Sequence, residues 1–125
     1  MSFDLGVWYS GVPVTDKEAA EIYVHLCENW PYLEGESASI AAFYDELIRR
    51  WPEIDTVPEE EIHDTEYCPW SSALNRSGMA LLMPCVWSMA DEVSVFVRRL
   101  ANKYSLVLFD PQSGKVSLPE HPTSQ

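Results

Sequence analysis

A chain of 125 residues has room for one domain, and its 46% hydrophobic and 12% aromatic content supplies a core without metal or disulfide staples. Its 20 acidic against 8 basic side chains, a formal net charge of -12, repel a polyphosphate backbone, which excludes nucleic acid as the expected ligand and favours a basic protein partner. Three cysteines without metal-ligand spacing, no signal-peptide pattern at the N-terminus and no apolar run near the roughly 20 residues that span a bilayer predict a cytoplasmic chain outside the membrane.

Phe3 to Tyr9 is rich in aromatic and β-branched residues and is broken by Ser10-Gly11-Val12-Pro13, which predicts a first, interior strand. Thr15 followed by Glu18 is a capping-box pair that starts helix one. Ala19, Ile22, Tyr23, Leu26 and Trp30 form its buried face, and Pro31 stops it. After a turn at Glu34-Gly35-Glu36, the spacing of Ile40, Phe43, Tyr44, Leu47, Ile48 and Trp51 predicts helix two, ended by Pro52. Glu53 to Pro69 carries Glu53, Asp55, Glu59, Glu60, Glu61, Asp64 and Glu66 with no Lys or Arg, and reads as an acidic loop.

A hairpin follows, with a first strand at Ser72–Asn75, a turn at Arg76-Ser77-Gly78 and a well-buried second strand at Met79–Met83. Ser88, three residues before Asp91, is expected to open helix three, which buries Val93, Phe96, Val97, Leu100 and Tyr104. Arg98, Arg99 and Lys103 complement the negative end of that helix. Leu106–Phe109 is the next strand and Lys115–Leu118 a short edge strand, with a frayed tail over 119–125 behind a single domain of residues 1–118. This order predicts an α+β fold: an antiparallel sheet with helices on one face, ferredoxin-like in its split βαβ arrangement, with an extra helix in the first crossover.

Chemistry-bearing constellations are few. His25 and Cys27 are two apart on a helix and face different directions, and His63 with Cys68 lacks the tight pairing of structural zinc sites, so neither a metal nor a cofactor is expected. Cys68 with His63 or His25, or a pair of carboxylates, would be the basis of a small enzyme. Against that stand the habit of cysteine to pack as a small hydrophobe and the tendency of clustered acids to be a solvated face. No phosphate-binding glycine loop and no nucleophile elbow is present. The expectation is therefore a protein that binds and does not catalyse.

The candidate contact surface is the acidic loop: Glu59, Glu60, Glu61, Asp64 and Glu66, with Tyr67 and Trp70 at its end. Acids around aromatics suit an interface in which the ring anchors and the charges steer, and a core position for Trp70 fits the same pattern equally well. Trp30, Tyr32, Glu34 and Glu36 form a second patch of this kind. A self-associating adaptor domain is the remaining alternative, and nothing in the sequence specifies an oligomeric state.

Several segments together, namely Ser2-Phe3-Asp4-Leu5-Gly6-Val7-Trp8, Phe43-Tyr44-Asp45-Glu46-Leu47, Trp51-Pro52-Glu53-Ile54-Asp55, Cys68-Pro69-Trp70 and Leu106-Val107-Leu108-Phe109-Asp110-Pro111-Gln112, give a further signal. Over residues 2 to 118 the chain resembles the small bacterial immunity proteins encoded beside polymorphic or contact-dependent toxins. The resemblance implies a cytoplasmic antidote that binds a cognate toxin domain and covers its active site; it implies no fixed catalytic or binding residues.

Overall fold

The computed structural model describes residues 3–30, 32–61 and 64–119. Strand β1 (Phe3–Trp8) is followed by helices α1 (Asp16–Glu28) and α2 (Ala38–Arg50), strands β2 (Asn75–Arg76) and β3 (Ala80–Cys85), helix α3 (Ala90–Lys103), and strands β4 (Val107–Asp110) and β5 (Lys115–Ser117). The five strands make one antiparallel sheet in the order β2-β3-β1-β4-β5. β1 is thus central, with Leu5 opposite Met83 on one side and Val7 opposite Leu108 on the other.

Alternation along the strands divides the core in two. Phe3, Leu5, Val7, Leu81, Met83, Cys85 and Leu108 point to one face, where they meet Ile40, Phe43 and Leu47 of α2 and Val93, Val97 and Leu100 of α3. Trp8, Ala80, Leu82, Val107 and Phe109 point to the other face and meet Ala19 and Leu26 of α1. The expectation of helices on one face is therefore corrected: α1 covers the opposite side, giving three layers. An antiparallel sheet can leave one face to solvent, but here both faces are apolar and each needs a cover. Gly6 lets α1 approach, because a Cβ there would lie 3.1 Å from the Tyr23 ring.

Local chemistry explains most of the boundaries. Thr15 and Glu18 form the reciprocal capping box at α1, at 3.1 and 2.9 Å. The helix stops at Glu28, so Trp30 lies beyond it and is 38% exposed instead of buried; Pro31, the expected stop, lies outside the described residues. Ser37 caps α2, whose C-cap is the buried Trp51. Ser88 does not cap α3: it sits in a 3₁₀ turn over Trp87–Met89, and Met89 is the N-cap without a side-chain bond.

The expected hairpin is also shifted. Its first strand is Asn75–Arg76, because the Ser77 hydroxyl accepts from the amides of Met79 and Ala80 and moves the turn to Ser77–Met79. The rest of that edge of β3 is covered by non-strand chain: the Ser71 amide donates to Pro84, the Val86 amide to Pro69, and Trp70 bridges to Cys85. Gly78 has no room for a side chain, since a Cβ would lie 2.1 Å from the Gly35 carbonyl oxygen. The edge of β5 is blunted by Asp16, whose carboxylate accepts from the Val116 amide at 2.8 Å. Of the expected tail, residues 120–125 lie outside the described chain.

Candidate functional site

The described residues of the acidic segment between α2 and β2 form a clasp. The Thr56 amide and hydroxyl both donate to the Glu53 carbonyl, closing a 3₁₀ turn at Ile54–Thr56, and a second turn forms at Glu59–Glu61. Asp64 then organises the return: its carboxylate accepts from the amides of Glu66 and Tyr67 at 3.1 and 3.3 Å, and its carbonyl accepts from Cys68 at 2.9 Å.

Both ends of the clasp are fastened to the core. Trp51 and Trp70 are 1% and 2% exposed and meet edge to face with ring centroids 6.0 Å apart. The Trp70 indole N–H donates to the Trp51 carbonyl at 3.3 Å, and the Cys68 thiol reaches the Pro52 carbonyl at 3.4 Å. The Glu53 carboxylate bridges two elements, accepting from the Tyr44 hydroxyl at 2.7 Å and from the Leu74 amide at 3.1 Å. Burial together with that bond to Glu53 pushes the Tyr44 hydroxyl up to about 12.

Of the residues expected to contact a partner, Glu59, Glu60, Glu61, Glu66 and Tyr67 are exposed on this clasp. Asp64 is exposed too, but its carboxylate already serves the turn. Trp70 is corrected to a core residue: its ring lies inside the α2–α3 side of the molecule and cannot anchor a partner without opening the clasp. Glu53 was not singled out by sequence reasoning, because its two partners lie 9 and 21 residues away and no local pattern marks them. Among the described residues the two ion pairs are Lys103 with Glu46 and Lys115 with Asp16, so no Lys or Arg neutralises the clasp.

The thiol constellation does not assemble on what is described. Cys68 is 3% exposed and burial raises its pKa, which disfavours the nucleophilic thiolate. His25 is exposed on α1, on the far side of the sheet from Cys68, and His63 lies outside the described residues. Burial likewise pushes the Cys85 thiol up to about 12. No group of three or more His, Cys, Asp or Glu side chains among the described residues could hold a metal ion. In the second patch Trp30, Tyr32, Glu34 and Glu36 are exposed, and the Tyr32 ring stacks on His25 at 4.6 Å.

Comparison with known protein families, curated protein sequences and solved structures yields no match. No helix among the described residues is long and apolar enough to cross a membrane.

Proposed function

We propose that this protein is a toxin-neutralising immunity protein of the bacterial cytoplasm, which binds a basic toxin domain through the face that carries Glu59, Glu60, Glu61, Glu66 and Tyr67 and covers its active site. The observation that carries the reading is the exposed Glu59, Glu60, Glu61 and Glu66 with no ion-pair partner among the described residues, held on a clasp fastened to Trp51 and Trp70. Clustered carboxylates raise the rate of encounter with a basic protein, and a clasp held in place before contact pays less ordering entropy on binding. Tyr67, 37% exposed beside those charges, is the ring available to anchor the contact now that Trp70 is buried.

The fold suits this role as a scaffold. We read the sheet order as a ferredoxin-like split βαβ in which β3 lies between β1 and β2, with β5 added at the edge and α1 as the extra helix on the second face. Such a fold hosts many functions, so the reading rests on the charged face and on the family resemblance, not on topology.

The test is co-expression with the product of the adjacent upstream gene. The expected result is a complex that co-purifies, abolishes that product's toxicity, and weakens with salt. The triple variant Glu59→Lys/Glu60→Lys/Glu61→Lys should lower the association rate by about tenfold or more while unfolding at the same denaturant concentration. An upstream product that is harmless, or that binds the triple variant as tightly as the wild type, sinks the proposal.

A further inference from the structure

The basic side chains of this protein are concentrated on two helices, which also carry Asp45, Glu46, Asp91 and Glu92. Arg49, Arg50, Arg98, Arg99 and Lys103, five of the eight basic residues, lie on α2 and α3. Between α3 and the β4–β5 edge runs a cleft of about 530 Å³, floored by the buried Ala101, Leu106 and Leu108. Val95 and Leu118 stand at its rim, 49% and 42% exposed, beside Arg98 and Arg99. Among the described residues neither arginine is in an ion pair, in a chain with 20 carboxylate side chains. Of the three basic residues expected to complement the end of α3, Lys103 alone falls in its last turn, and it is paired with Glu46 at 2.7 Å. Two guanidiniums at neighbouring positions thus border an apolar floor without an ion-pair partner among the described residues.

We propose that this cleft is a second docking surface, opposite in sign to the first, for an acidic segment of a partner protein that places one or two carboxylates on Arg98 and Arg99 and an apolar side chain on the Leu106–Leu108 floor. Guanidinium groups match carboxylates in paired hydrogen bonds, so the site selects for geometry as well as charge. From Val95 to Asn102 the α3 wall extends roughly 10 Å, enough for about three residues of extended chain. A neighbouring cleft of about 400 Å³ shares Val95 and Arg99 but also carries Asp91 and Glu92, which confines the acidic end of the occupant to the Arg98 side. A second copy of this chain is disfavoured by its own charge of -12, and a nucleic acid more so by its dense phosphates. A short acidic segment carries few charges and meets the local basic face within a Debye length of about 8 Å.

The proposal does not depend on toxin neutralisation and is tested separately. A library of random peptides displayed on phage is selected on the intact protein and counter-selected on the variant Arg98→Glu/Arg99→Glu. Enrichment of peptides that combine Asp or Glu with a large apolar residue is expected. A synthetic peptide of the enriched sequence should bind about tenfold or more weakly to Arg98→Ala/Arg99→Ala, with the Glu59→Lys/Glu60→Lys/Glu61→Lys variant no worse than wild type. Both arginines are exposed, so a matching melting temperature certifies that the variants fold. Enrichment of no peptides, of peptides without acids, or of peptides that bind both arginine variants equally overturns the proposal. So does sedimentation showing that the wild type self-associates and that Arg98→Glu/Arg99→Glu abolishes it, since the cleft would then belong to a second copy.

Discussion

The Glu53 carboxylate and the Tyr44 hydroxyl close the clasp from below, joining α2 to the chain that enters β2. Removing the hydroxyl in Tyr44→Phe leaves Glu53 with its Leu74 amide and should cost about 1 kcal/mol at neutral pH. The Tyr44 hydroxyl is raised to about 12 from an unfolded value of 10.0, so the folded state holds a proton that the unfolded chain has lost between those values. Its contribution is complete below the unfolded value and disappears as pH climbs through the folded one. Denaturant titrations should therefore show stability falling with alkaline pH in the wild type and falling less in Tyr44→Phe. Equal alkaline slopes would mean that the Tyr44 hydroxyl is not held protonated by the fold. A single acid in a run of seven gave no sign of this role, because a carboxylate that accepts two long-range bonds has the same neighbours in sequence as one that only solvates a loop.

At the scale of elements, the edge-to-face pair of Trp51 and Trp70 holds the end of α2 to the chain beside Cys85, and Phe96 of α3 packs on Trp51 at 5.1 Å. Truncating such a buried ring leaves a cavity, so Trp70→Ala should lose about 3–5 kcal/mol, read from the urea midpoint, whereas Tyr67→Ala on the surface should lie within about 0.5 kcal/mol of wild type. Comparable losses in the two variants would mean that Trp70 is not the fastening point. α1 was legible from its capping residues and α2 from spacings of three and four, signals that act within one or two turns. The hairpin was not, since the partner of β3 changes along its length: Asn75 and Arg76 pair with Leu82 and Leu81, then residues 69–71 take over without forming a strand. Ser88 resembled a cap in sequence, but the tight turn over Trp87–Met89 moved the helix start past it.

The whole molecule carries a formal net charge of -12 over 125 residues. Self-repulsion of that size opposes the compact state and is screened by salt, so sodium chloride should raise the melting temperature, and Glu59→Gln/Glu60→Gln/Glu61→Gln should shrink the rise. A melting temperature indifferent to salt would mean that the acidic face is spread too thinly to matter. The sequence by itself determined the α+β class, the start of α1, the central position of β1 and the excess of negative charge, because each depends on composition or on residues a few positions apart. Only the tertiary structure decided that α1 covers the second face, that Trp70 points inward, and that Arg98 and Arg99 border an apolar cleft with no ion pair among the described residues. Those outcomes follow from which surfaces meet across the sheet, and burial of a ring or pairing of a charge is a property of that meeting, not of the residue that carries it.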